Sequence, residues 1–127
     1  MTALFRRIQP STKLRITIRS IAQLLKISPN LIKRVESWAF VVFVHHRDRG
    51  GLFVSYRRLE EWQNAIVHHI QTCPTLSELS QLKTSIHYDS RKFKKQSLPK
   101  TLDFLIQMCI ERQDELNIWE SLNSIAS

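Results

Sequence analysis

The sequence predicts a mainly α-helical chain with one small β-hairpin, and three observations predict it. Apolar residues recur at helical spacing over most of the length. The only two glycines, Gly50 and Gly51, stand side by side between two β-branched and aromatic runs. Four prolines leave few breaks elsewhere. At 127 residues, one compact domain plus an appended helix is the natural division.

Each element has a local cause. Residues 1–14 read as a basic N-terminal arm. Ile18, Ile21, Ala22 and Leu25 mark one face of a first helix, and Lys26-Ile27 forms a tight connection. Ser28 is a good N-cap and Pro29 fits the first helical position, so a second helix is expected from Asn30 to Trp38. Leu31, Ile32 and Val35 would face its core side, with Asn30, Lys33, Arg34 and Ser37 outside. The runs Val41–Val44 and Leu52–Val54 flank His45-His46-Arg47-Asp48-Arg49-Gly50-Gly51, a hairpin whose glycines supply positive φ. Ser55 then caps a third helix carrying Leu59, Trp62, Ile66 and Ile70.

That order makes residues 15–70 a winged helix-turn-helix unit, which would lay a charged helix in the major groove and brace it with a charged hairpin. The residues expected at DNA are Arg15, Thr17, Arg19, Ser28, Pro29, Asn30, Lys33, Arg34 and Ser37, with His45, His46, Arg47, Arg49, Tyr56, Arg57 and Arg58 from the wing and beyond. A helix–hairpin–helix core with an ordinary charged surface is the plainer reading of the same pattern.

Charge points to an anionic partner. The chain carries +8, unevenly spread. Residues 1–70 hold 12 Lys/Arg against 4 Asp/Glu, residues 71–100 hold 6 against 2, and residues 101–127 hold 1 against 5. Basic surfaces release condensed counterions on meeting phosphates, although net charge alone also suits RNA or a membrane surface. No stretch is apolar enough for a bilayer span and no signal-peptide pattern is seen, so a cytoplasmic, nucleoid-associated protein is expected.

Residues 71–98 read as a helical basic connector. Leu76, Leu79, Leu82 and Ile86 mark a short amphipathic helix after Pro74-Thr75. Tyr88 to Lys95 is either a helix touching phosphates or a solvated face, and Leu79 to Lys95 also fits a degenerate second helix-turn-helix. From Pro99 a last helix runs to about Ile125. Leu102, Leu105, Cys109, Leu116 and Trp119 follow a near-heptad seam, and Phe104, Met108, Ile118, Leu122 and Ile125 form a second apolar line. Residues 99–127 are therefore expected to make a homodimer, with Leu102, Leu105, Cys109, Leu116, Trp119 and Leu122 between chains. Packing back across its own domain is the alternative.

Catalytic chemistry finds no foothold. Cys73 and Cys109 match no zinc spacing and read as reduced core thiols. The adjacent pairs His45-His46 and His68-His69 point their rings apart, which makes poor metal sites. No nucleophile–base pairing, phosphate-binding glycine loop or paired carboxylates stand out, so neither enzyme activity, metal nor cofactor is expected.

Ile18 to Phe40 resembles the start of the MerR family of transcription regulators. The likeness lies in the Ile/Ala helix, the Ser28-Pro29 turn, Lys33, Glu36 and Phe40 before the wing. Leu59-Glu60-Glu61-Trp62 is similar to the excisionase branch of that superfamily, and the resemblance covers about Arg15 to Ile70. More narrowly, the short length and unusual C-terminal half look like the MerR-type repressors encoded beside type V-K CRISPR-associated transposons in cyanobacteria. That resemblance implies a homodimeric repressor of the CRISPR effector gene, bound to double-stranded DNA at a promoter operator. Three departures stand out. Lys26 occupies a turn-glycine position, Arg34 and Val35 replace favoured aromatics, and effector-sensing cysteines have no counterpart, so constitutive binding is the simpler expectation. An excisionase-like architectural factor and a protein-interaction adaptor are the other classes this pattern fits.

Overall fold

The computed structural model describes residues 1–126. The chain divides into two compact units, one of residues 7–65 and one of residues 1–6 with residues 66 onward. Six helices and a three-stranded antiparallel sheet make up the described residues: α1 (Ala3–Ile8), α2 (Pro10–Lys13), α3 (Ile18–Leu25), β1 (Ile32–Ser37), β2 (Val42–His46), β3 (Gly50–Val54), α4 (Glu60–Gln71), α5 (Leu76–Lys92) and α6 (Pro99–Ala126). The 1–14 stretch is not an arm. It folds as α1 and α2, turning at Gln9 (φ 51°), and buries Leu4, Phe5, Ile8 and Pro10. The apolar spacing Leu4/Phe5/Ile8 outweighs its basic residues.

In the unit of residues 7–65, Thr17 caps α3 by accepting the Ser20 N–H at 3.1 Å, and Ile21 and Ala22 are buried. Lys26 ends the helix in the left-handed region (φ 56°, ψ 47°), a conformation that costs a non-glycine residue about 1 kcal/mol. Ser28 does cap the next segment, accepting from Asn30 N, but only a single 3₁₀ turn (Pro29–Leu31) follows.

The expected second helix, Asn30 to Trp38, is not formed: Ile32–Ser37 is strand β1. Its register against β2 runs Ile32–His46, Arg34–His45, Val35–Val44, Glu36–Phe43 and Ser37–Val42, with an irregularity between Ile32 and Arg34. Two β-branched residues lower the helical preference of this run, and the β2 ladder satisfies its backbone. The expected second helix of the helix-turn-helix is therefore replaced by a strand, and the hairpin is two strands of a β1-β2-β3 meander.

The hairpin itself is present, with β2 and β3 paired from Val42–Val54 to His46–Gly50. Gly50 takes φ +73° at the turn, where an L side chain would be strained. His46 is buried and its Nδ1 accepts the Asp48 and Arg49 N–H groups at 3.0 and 3.1 Å, which closes the loop. Ser55 caps a 3₁₀ turn, Tyr56–Arg58, just before α4. Val42, Val44, Val54, Tyr56, Leu59 and Trp62 are buried together with Ile21 and Ile32.

The other unit is helical. Thr75 caps α5, accepting from Glu78 N at 3.2 Å, and α5 continues unbroken through Tyr88 to Lys92, so Leu79 to Lys95 holds no second helix-turn-helix. Leu79, Leu82 and Ile86 on α5 and Leu105, Cys109 and Leu116 on α6 are buried where the two helices pack. Arg112 forks onto the Cys73 carbonyl (Nε 3.1 Å, Nη2 2.9 Å) and reaches Glu115 at 2.8 Å, pinning α6 to the turn before α5. Thr2 caps α1 through Phe5 N and donates to buried Asp89 at 2.5 Å.

Candidate nucleic-acid interface

The period of two along β2 sorts its side chains. Val42, Val44 and His46 are buried, while Phe43 and His45 point to the opposite, open face. Register then places Arg34 beside His45, Glu36 and Phe53 beside Phe43, and Gly51 beside His45. Trp38, at the end of β1, lies flat on Phe43, with centroids 4.8 Å apart and planes 8° from parallel. Phe53 meets both edge-on, at 5.7 Å from Trp38 and 5.3 Å from Phe43. Gly51 is what lets Phe43 lie there: a Cβ at Gly51 would fall 2.4 Å from Phe43 Cζ. Phe53 remains 63% exposed and Trp38 43%, an unusual amount of aromatic surface on one sheet face.

Beside the rings lies a polar row. His45 Nε2 sits 2.5 Å from Glu36 Oε2, and Arg34 Nε approaches the same oxygen at 3.5 Å. The His45 hydrogen bond, helped by the nearby charges of Arg34 and His45, holds the Glu36 carboxyl below the usual carboxylate range. The Tyr56 hydroxyl donates to the Trp38 carbonyl at 2.5 Å and so fixes the strand end that carries the ring. Burial pushes the Tyr56 phenol up.

The sheet is bordered by cations. Lys33 and Arg34 are exposed on the edge strand β1, and Arg47 and Arg49 are exposed in the β2–β3 turn. Arg47 is positioned by the loop before β1: its Nε donates to Asn30 O and its N to Leu31 O, both at 2.8 Å. Asp48 between the two arginines is the single acid of that turn.

The structure treats the expected DNA-contacting residues unequally. Lys33, Arg34, Arg47 and Arg49 come together around the sheet, joined by His45 on its open face. Arg15, Arg19, Ser28, Pro29, Asn30, Ser37 and Arg58 are also exposed, on loops, on α3, at the end of β1 and after β3 rather than on one recognition helix. Thr17 is exposed and engaged in capping. Three expectations need correction. His46 is buried and holds its turn, Tyr56 is fully buried, and Arg57 is buried with its guanidinium 5.3 Å from the Trp62 ring centroid.

On α6, Leu105, Cys109 and Leu116 are covered within their own chain, which removes those three from an intersubunit seam, while Leu102 is half-buried. Trp119 and Leu122 are exposed, as are Ile118 and Ile125. Burial also raises the Cys109 thiol. The aromatic group Trp38, Phe43 and Phe53 escaped the sequence reading. Its signal is the alternation in Val42-Phe43-Val44-His45, which turns Phe43 and His45 outward between inward valines.

No described helix is long and apolar enough to cross a membrane, and no described His, Cys, Asp and Glu residues gather in threes that could hold a metal ion. No family model, curated protein or solved structure matches the chain.

Proposed function

We propose that this chain is a DNA-binding transcriptional regulator, most simply a repressor, that contacts double-stranded DNA through the open face and basic border of its sheet. The supporting observation is the gathering of Lys33, Arg34, Arg47 and Arg49 around a single three-stranded sheet in a chain of net charge +8. Strands as well as helices enter DNA grooves, and the major groove is wide enough for a two-stranded ribbon. In this reading Arg34 and His45 face the bases while Lys33, Arg47 and Arg49 meet phosphates. Two copies associate through the outer line Ile118, Trp119, Leu122 and Ile125, far along an acidic helix that DNA would repel.

The test is a salt titration of binding to a promoter fragment. Replacing Arg47 and Arg49 together by Ala should weaken affinity for all duplexes and lower the slope of log affinity against log salt by about two counterions. Replacing Lys33 and Arg34 should reduce discrimination between promoter and random DNA. Unchanged slopes and unchanged discrimination would remove the sheet from the interface.

A further inference from the structure

The basic border explains attraction to a phosphate backbone but gives no role to the rings it surrounds. Trp38, Phe43 and Phe53 form one cluster with all centroid separations within 5.7 Å. Two features show that the sheet is built to display them. Gly51 leaves the space that Phe43 occupies, and Tyr56, from the buried side, holds the Trp38 carbonyl. A cluster serving only the fold would be covered, yet Phe53 and Trp38 keep 63% and 43% of their surface in solvent. Phe40, in the β1–β2 turn, is exposed to 65%.

We infer that the aromatic face of the sheet is a stacking platform for unpaired bases, so that the DNA this protein takes contains a melted or single-stranded stretch. The inference rests on the DNA-binding reading above and narrows its substrate. Flat rings bordered by cations match the two halves of a nucleotide, a π-faced base and an anionic phosphate. In an intact duplex the base faces are occupied by their neighbours, and only edges are offered in the grooves. Stacking surface of this kind on a sheet is satisfied by bases that have been splayed out. Arg34 and His45 lie on the same face, within reach of a stacked base's edge, and Lys33, Arg47 and Arg49 lie where a backbone would turn away. A protein partner would equally cover the rings, but the cationic border and the absence of any acid there except Glu36, already paired to His45 and Arg34, and Asp48 favour a polyanion.

Binding is measured by fluorescence anisotropy with the full chain on three DNA probes, a 20-base-pair duplex, the same duplex with six central unpaired thymines and a single-stranded thymine oligonucleotide, with a uridine oligoribonucleotide of the same length beside them. The bubble and the single strand should bind at least tenfold more tightly than the duplex. Phe53→Ala should abolish that preference, since one base–ring stack is commonly worth a factor of ten or more. Phe53→Tyr should retain it. Tryptophan emission should be quenched on binding, and the quench should disappear in Trp38→Phe, which keeps a stacking ring.

Equal binding to duplex and bubble, with Phe53→Ala indifferent, would overturn the platform and leave DNA binding through the sheet intact. Failure to bind any of the three probes at low salt would overturn the DNA reading itself, and the inference with it. A tenfold preference for a uridine oligoribonucleotide over its DNA counterpart would overturn the choice of DNA. Phe53 is an exposed position, so circular dichroism of the Ala variant should match wild type and separate lost stacking from lost fold.

Discussion

The sheet-bearing unit and the helical unit leave apolar surface exposed in different ways. In the first, rings are exposed because the framework beneath holds them out: Gly51 clears the space, Tyr56 anchors the strand end, and cations border the result. In the second, apolar residues are exposed on α6, which is longer than α5, where Ile118, Trp119, Leu122 and Ile125 lie in solvent with acids interspersed. An exposed patch with a dedicated scaffold under it suggests a ligand of defined shape. An exposed stripe on a protruding helix suggests another helix. The same physical quantity, uncovered apolar area, therefore carries different meaning in the two units.

Substitutions can break or sharpen this contrast. The largest effect is expected at Leu105→Ala, which opens a cavity between α5 and α6 and should cost about 2–5 kcal/mol. Urea denaturation checks it. A loss that grows with protein dilution would instead place Leu105 between chains.

Tyr56→Phe is next, at about 1–2 kcal/mol, because it leaves the Trp38 carbonyl without its buried-side donor. It also carries a pH signature. Burial raises the Tyr56 pKa, so the folded state holds that proton more tightly than the unfolded state. The contribution is complete below about pH 10, the unfolded value, and is lost as pH rises through the folded one. Thermal melts at alkaline pH should show wild type losing stability that Tyr56→Phe does not.

Gly51→Ala should cost only about 1 kcal/mol, since the far edge of the Phe43 ring can swing aside. Its main effect should be loss of the near-ultraviolet circular dichroism of the Trp38–Phe43 stack. An unaltered spectrum would mean that the stack does not depend on the glycine. Smallest is Trp119→Gln, expected within about 0.5 kcal/mol of wild type in the monomer's melting because the side chain is 60% exposed. Sedimentation of the same variant should show weakened self-association, and an unchanged distribution would take Trp119 out of the contact.

Much of the helical unit was legible in the sequence. Leu76, Leu79, Leu82 and Ile86 announce α5 by spacing, Pro99 announces α6, and Leu105, Cys109 and Leu116 were recognisable as part of an apolar seam. What the spacing could not show was that α5, from the same chain, covers that line. In the other unit, α3 and the β2–β3 hairpin followed from local signals. Strand β1 did not. Leu31, Ile32 and Val35 fit a helical face, and Ser28-Pro29 is a genuine start signal that here opens a single 3₁₀ turn. The outcome was decided by pairing with β2, a nonlocal partner that periodicity cannot weigh. The aromatic platform was lost with it, because Trp38 meets Phe43 only once β1 lies beside β2.

The irregular register at Lys33 bears on how the protein behaves when crowded. An open three-stranded sheet has two outer strands, and each presents backbone groups on which a foreign strand could add. β3 is short and contains both glycines, which give such an addition little side-chain surface to hold. β1 is longer, but its ladder breaks between Ile32 and Arg34 where exposed Lys33 sits, so an incoming strand would meet a bend and a charge. That interruption makes the β1 edge of an exposed aromatic sheet a poorer template for strand addition.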